Sequence, residues 1–141
     1  MAVVNPYLNF EDNCEEAFLF YQSVFGGEFI NFMRYEQMEC DNPAPASENK
    51  KVMHVALPIG NGSVLMGSDT PAAMGHLTVG NNYSIAVGAD NVEEAKRLFD
   101  GLAAGGEVTM PMDKTFFAEA FGMCTDKFKV HWMVVCAGCQ Q

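Results

Sequence analysis

The sequence predicts an α+β protein built from two βαβββ modules, and three observations carry that expectation. The first is an internal repeat. Asn13-Cys14-Glu15-Glu16-Ala17 returns as Asn91-Val92-Glu93-Glu94-Ala95, 78 positions on, and Gly26-Gly27-Glu28-Phe29 returns as Gly105-Gly106-Glu107-Val108, 79 positions on. The second is that each repeated block opens a stretch with apolar residues at helical spacing. The third is that the flanking stretches alternate with period two, as strands do. The expected organisation is a single domain over 1–141, with one module over 3–69 and its copy over 81–136.

Both helices carry start and stop signals. Asn13 is placed to cap the first, with Glu16 three residues on to complete a capping box. Ala17, Phe20, Tyr21 and Val24 then form one apolar stripe, and Gly26-Gly27 ends it where a positive φ is needed. The second copy has Asn91 and Glu94, a stripe of Val92, Ala95, Leu98, Phe99 and Leu102, and Gly105-Gly106. Acidic first turns suit both helix dipoles.

The strands follow from the alternation. Val3–Phe10 sets Asn5, Tyr7 and Asn9 on one face and Val4, Leu8 and Phe10 on the other. Glu28–Tyr35, Lys51–Ile59 and Ser63–Ser68 complete the first module, with a Gly60-Asn61-Gly62 hairpin signal between the last two. Asn82–Val87 precedes the second helix, and Glu107–Met112, Phe117–Thr125 and Val130–Cys136 follow it. Gln37–Asn49 reads as a long loop and Thr70–Gly80 as the connection between modules.

Composition narrows the function classes. The chain has 141 residues and a formal net charge of −10, with only 8 Lys+Arg. A nucleic-acid partner needs a basic footprint and an anionic membrane surface attracts one, so neither partner is expected. No stretch approaches the ~20 apolar residues of a membrane span, and no secretory leader is recognisable. Five cysteines (Cys14, Cys40, Cys124, Cys136, Cys139) are an odd number, which fits reduced thiols in the cytoplasm, the expected location.

One face of several strands is apolar and the other mixed. Met53, Val55, Leu57 and Ile59 share a face, opposite Val52, His54 and Ala56; Ile85 and Val87 oppose Asn82 and Ser84. A covering helix explains the apolar face. The mixed face, with Asn5, Tyr7, Asn9, His54 and Ser84, carries too little charge for a plain solvent face and fits the wall of a cavity.

The blocks YLNF, NCEEAFLFYQSVFGGEF, HVALPIGNGSVLMGSD and FFAEAFGMCTDKFKVHW resemble PhnB-like proteins of the glyoxalase/bleomycin-resistance/extradiol-dioxygenase (vicinal oxygen chelate) superfamily. The likeness spans about Asn5 to Val135. It implies two βαβββ modules forming a curved mixed sheet around a cavity, and a homodimer. It also implies, for the active members, a divalent metal held by His, Gln or Glu on the first and last strands of each module. Carried onto this chain, those positions fall at Asn5 or Pro6, Leu65 or Met66, Ser84, and near Met133. None is a good ligand for a hard or borderline divalent ion, so no metal is expected there. Lys129 stands where the resembling pattern DxFG has Gly. Some members carry a methyltransferase label, but no Gly-rich loop joins an opening strand to its helix here, and no cofactor is expected.

The expected function is binding of a small organic molecule on the mixed face, with Tyr7, Asn9, Tyr35, His54, Ser84, Phe117 and Phe121 as ligand-binding candidates. His54 and His131 are the candidates for proton transfer, each equally readable as a structural histidine. Other metal-ligating candidates are His76, Glu119 and the Cys136–Cys139 pair, none at a spacing specific for a site. Two further readings stay open: sequestration of a cationic aromatic compound, suggested by the acidic charge and the aromatic residues, and a metal-dependent isomerase, lyase or dioxygenase with unorthodox ligands. Asp69 and Asp126 read as turn or capping residues at strand ends.

Overall fold

A computed structural model describes residues 2–37, 49–60 and 62–137. The chain divides into two compact units, Met1–Thr78 and Val79–Gln141. Each is a four-stranded mixed sheet with one helix, in the order β-α-β-β-β that the repeat predicts.

In the first unit the order is β1 (Tyr7–Phe10), α1 (Cys14–Phe25), β2 (Asn31–Arg34), β3 (Val52–Gly60) and β4 (Ser63–Asp69). The spatial order is β1-β4-β3-β2, with β1 parallel to β4 and the other pairs antiparallel. The second unit repeats it with β5 (Ile85–Gly88), α2 (Val92–Ala103), β6 (Glu107–Asp113), β7 (Ala120–Thr125) and β8 (His131–Cys136), ordered β5-β8-β7-β6. In each unit the helix joins the two edge strands, β1 to β2 and β5 to β6, so it crosses one sheet face, and that face becomes the core.

The α1 core face is Cys14, Ala17, Phe18, Tyr21 and Val24, all buried. Phe18 takes the central place that spacing alone gave to Phe20, and its ring packs edge-on to Phe10 and Tyr21. On β4, Gly67 makes room for it: a Cβ there would lie 2.7 Å from the Phe18 ring. In the second unit Ala95, Leu98, Phe99 and Leu102 of α2 are buried, as are Trp132, Val134 and Cys136 on β8.

The two helix starts differ. Asn91 accepts from the Glu94 N–H at 2.8 Å, and Glu94 accepts in return from the Asp90 N–H, so the capping box lies one residue off the expected reciprocal partner. Asn13 makes no side-chain cap. Its role passes to Asp69, buried at the end of β4, whose Oδ1 accepts from the Cys14 N–H at 3.0 Å and whose Oδ2 accepts from the Val52 N–H at 2.9 Å. Asn91→Ala should therefore cost about 1 kcal/mol in urea denaturation, while Asn13→Ala costs a few tenths.

Several strand bounds shift from expectation. β2 starts at Asn31, and Tyr35 begins a 3₁₀ turn rather than ending the strand. β5 starts at Ile85, leaving Ser84 just outside, and β7 starts at Ala120, leaving Phe117 in the preceding turn. On β3 a bulge falls between the Met33↔His54 and Arg34↔Val52 pairs, so Met53 is the extra residue. Val52 consequently joins the buried face of Val55 and Leu57, which corrects the alternation expected from sequence. Most of the expected long loop, residues 38–48, lies outside the described residues, as do Asn61 and Cys139.

Candidate functional site

The helix-covered faces leave one open face on each sheet, and strand register says which side chains share it, because residues paired across strands point the same way. In the first unit Tyr7 pairs with Met66, Met66 with Ala56 and Ala56 with Asn31. A second row runs beside it. Asn9 pairs with Ser68, and Ser68 follows Gly67, the partner of Val55, which puts it opposite His54; His54 pairs with Met33. The two rows hold no Asp, Glu, Lys or Arg. Arg34, the neighbouring cation, goes to the helix side, where its guanidinium makes a two-pronged contact with Glu15 at 3.0 and 2.9 Å and holds that carboxyl below the usual carboxylate range.

Tyr7 and His54 touch across the rows. Their rings stack at 5.8 Å and 28°, and the Tyr7 hydroxyl lies 3.4 Å from His54 Nδ1. If Nδ1–H donates to the phenol oxygen, Tyr7 O–H and the Nε2 lone pair of His54 are both left for a bound molecule. Asn9 is exposed on the same row as His54. Tyr35 is brought close by chain but used otherwise: its hydroxyl donates to the Asp69 carbonyl at 2.9 Å, which ties the 3₁₀ turn to the end of β4.

The open face of the second unit is softer. Met133 pairs with Met123 and Met123 with Met110, a row of three thioethers that begins at Ala86 on β5. Val135 and Phe121 form the row on one side, and His131 and Thr125 the row on the other. Phe117 reaches the face from its turn, its ring edge-on to Phe121 at 5.1 Å, while Phe116 packs on Phe117 at 5.2 Å and is fully exposed. Charge enters only at the β6 edge, through Glu107 and Asp113. Reading residues singly hid this methionine row; the signal for it was the shared parity of Met123 on β7 and Met133 on β8.

His131 is held on both sides. Its Nε2–H donates to the Gly80 carbonyl at 2.9 Å, so in the neutral ring Nδ1 accepts from the Thr125 hydroxyl at 2.9 Å. The Tyr83 ring meets it edge-on at 5.2 Å. With both nitrogens occupied, His131 is built as a structural residue, and His54 is the better placed of the two for proton transfer. His76, exposed in the connecting segment, pairs with Glu11 at 3.0 Å.

The positions where the resemblance implies a metal do not suit a divalent ion. Asn5 Oδ1 accepts from the Val64 N–H at 3.0 Å, Leu65 is buried, and Met66 and Met133 offer soft thioethers. Among the described residues no three His, Cys, Asp or Glu side chains come together. The described cysteines are no better as nucleophiles. Cys14, Cys124 and Cys136 are buried free thiols; burial first, and then nearby carboxylates, push Cys14 far up and Cys124 up to about 11.

Asp69 and Asp126 hold the frame behind these faces. Asp126 Oδ1 accepts from the Phe128 and Val130 N–H groups, at 2.7 and 3.1 Å, and Oδ2 accepts from Trp132 Nε1–H at 2.8 Å. The turn between them puts Lys129 at φ +74, so the lysine adopts the left-handed conformation that the resembling pattern gives to glycine.

Comparison with known proteins places this geometry. Residues 2–135 match the profile of a family described as 3-demethylubiquinone-9 3-methyltransferase. Protein YjdN of Escherichia coli (strain K12) is 30% identical over 140 residues, which cover 93% of this chain and 92% of that one. The crystal structure of protein PA1353 from Pseudomonas aeruginosa is similar at 40% identity and TM-score 0.84, over 96% of this chain and 98% of that one. A putative 3-demethylubiquinone-9 3-methyltransferase, PhnB protein, from Bacillus cereus is similar at 29% identity and TM-score 0.76, over 96% and 100%. At 12% identity, a glyoxylase/bleomycin resistance protein/dioxygenase domain from Frankia sp. EAN1pec shares the fold, with TM-score 0.68 over 97% and 98%.

Proposed function

We propose, for a chain that belongs to the family described as 3-demethylubiquinone-9 3-methyltransferase and is a PhnB-like protein of glyoxalase/bleomycin-resistance fold, that it binds a small organic molecule on the open faces of its sheets. One observation carries the reading. The open face of the first unit is accessible at Tyr7, 44% exposed, and at Asn9, while Ala56 and Ser68 within it are buried, and its two central rows hold no charged side chain in a sequence with 26 Asp, Glu, Lys and Arg. A sheet face evolved only to meet water carries charge, whereas an apolar face with a few placed polar groups is what a small ligand needs. Tyr7, Asn9 and His54 are the polar groups there. Ser84, Phe117 and Phe121 contribute in the second unit, where the methionine row supplies a pliable apolar floor. Tyr35 supports the wall through Asp69.

The methyl-transfer chemistry in the family's description is not part of this reading. A nucleotide-like cofactor cradled at a strand-to-helix turn is held by a glycine-rich turn with free N–H groups. Here the connection is Glu11-Asp12-Asn13, Asp12 pairs with Lys51 at 2.7 Å, and the Cys14 N–H is taken by Asp69. The residues present do not fit that group.

A ligand-observed NMR screen of uncharged aryl and heteroaryl compounds tests the proposal. Met66→Lys puts a charge in the middle of the first face and should abolish its hits, while Glu93→Lys on the outer surface of α2 leaves them unchanged. Hits that survive Met66→Lys, Tyr7→Ala and Phe121→Ala alike would defeat it. The assembly this reading expects is a homodimer, with a mass in solution twice the 15.4 kDa chain. No described helix is long and apolar enough to cross a membrane, and a cytoplasmic location is the one proposed.

A further inference from the structure

At one end of the second sheet lies an open depression of about 400 Å³, lined by Val79, Gly80, Asn81, Thr125, Lys129 and His131. We propose that this depression binds the carboxylate of a small organic acid, with Lys129 as its charge partner. The inference deepens the ligand-binding reading above by giving one end of one face a charge preference.

Three observations lead there. First, Lys129 is a non-glycine residue held at φ +74, a left-handed conformation that an L side chain rarely adopts. Such a position is retained when something else rewards the side chain. Second, Lys129 is the one Lys or Arg that lines the depression, and it has no ion pair among the described residues. Third, the ring nitrogens of the wall beside it already have partners. His131 spends both ring nitrogens on Thr125 and Gly80, leaving the Lys129 ammonium and the Asn81 amide as the side-chain donors that line the space.

No Asp or Glu is among the residues that line the depression. Asp126 is buried, with its oxygens engaged by two backbone N–H groups and Trp132. Glu107, on the edge strand β6, pairs with the lining residue Thr125, about 5 Å away at the usual strand spacing.

Three probes with the same ring and different heads separate the outcomes: benzoate, benzyl alcohol and benzylamine, each titrated into the full chain and followed by amide NMR. Benzoate should move the amides of Asn81, Thr125, Lys129 and His131 and bind more tightly than benzyl alcohol, and benzylamine should leave them unmoved. Lys129→Gly should raise the urea midpoint, because glycine accepts that φ freely, and yet weaken benzoate about tenfold or more. Lys129→Arg should keep the binding. A gain in stability with loss of binding is a pair of results that a merely structural lysine would not give. Equal binding of benzyl alcohol, preference for benzylamine, no benzoate response up to its solubility limit, or unchanged benzoate affinity in Lys129→Gly would each overturn the proposal. None of these touches the open-face reading, which is decided by uncharged compounds at Met66 and Tyr7.

Discussion

Asp126→Ala should cost about 4 kcal/mol of stability, among the largest losses from any single side chain in the second unit. The buried carboxylate accepts three hydrogen bonds, from Phe128 N, Val130 N and Trp132 Nε1. Bonds to a charged acceptor contribute about 1.5–3 kcal/mol each, and the donors left behind in a buried site add their own penalty. Their sum is not additive, which is why the expected figure lies below it. Asp126→Asn separates the two oxygens. An amide oxygen at the Oδ1 position still serves the backbone, but the amide NH₂ then meets the indole N–H, donor against donor, and the expected loss is about 2 kcal/mol. Urea denaturation followed by fluorescence reads both, since Trp132 is the single tryptophan. A loss below about 1 kcal/mol for the alanine variant would contradict the role given to this turn.

Gly106→Ala is the second large effect. A Cβ built on Gly106 would overlap the Thr125 carbonyl oxygen and press on the Asp126 backbone at 2.8 Å, so main chain rather than a flexible side chain must move. The strand β6 starts at the next residue, with Glu107 paired to Thr125. Displacing this point therefore disturbs the sheet edge and the Asp126 turn together. The expected loss is about 3 kcal/mol or more, at or above the upper end for overpacking. Gly67→Ala, which presses on the Phe18 ring and the Leu8 carbonyl, should cost about 1–3 kcal/mol. Gly88→Ala meets nothing within 4 Å and serves as the control with little change. An equal, small effect at all three glycines would refute this ranking.

The repeated Gly-Gly pair illustrates how much of the fold can be read from residues. Gly26, Gly27 and Gly105 have φ near +80 and end their helices, as the position after an apolar stripe suggests. Gly106 is required for space against the Thr125–Asp126 backbone, a reason that no local pattern carries. The same division holds elsewhere. The helices, the β-α-β-β-β succession of elements in each half and the Asn91 cap are local features and were legible. The capping of α1 by Asp69 joins residues 55 apart, so the nearby Asn13 offered the wrong candidate. The bulge at Met53 reverses the alternation of β3 without a glycine or proline to mark it.

The candidate site was legible in proportion to how local its parts are. Tyr7, Asn9 and His54 were found because each lies in a strand with clear alternation, but only strand register brings Tyr7 and His54 into contact. Phe117 was assigned to a strand and instead approaches Phe121 from a turn. His131 looked as suitable for proton transfer as His54 until its two hydrogen bonds were placed, one of them to a carbonyl 51 residues away. Met110 joins the methionine row because a bulge shifts its pairing by one residue. A one-residue shift changes the face of a strand residue, so such a row cannot be inferred from spacing alone.

The central claim, that the uncharged open faces bind a small molecule, is tested most directly by methyl NMR of the methionines. The chain has 10. Met33, Met66, Met110, Met123 and Met133 lie on the open faces by register, while Met74 is exposed in the connecting segment and Met112 touches the Gly122 position. On titration with an uncharged aryl compound from the screen, the account predicts saturable shifts confined to open-face methyls, lost in Met66→Lys for those of the first unit. Shifts centred on Met74 or Met112, or open-face methyls that stay unmoved while the compound binds, would contradict it.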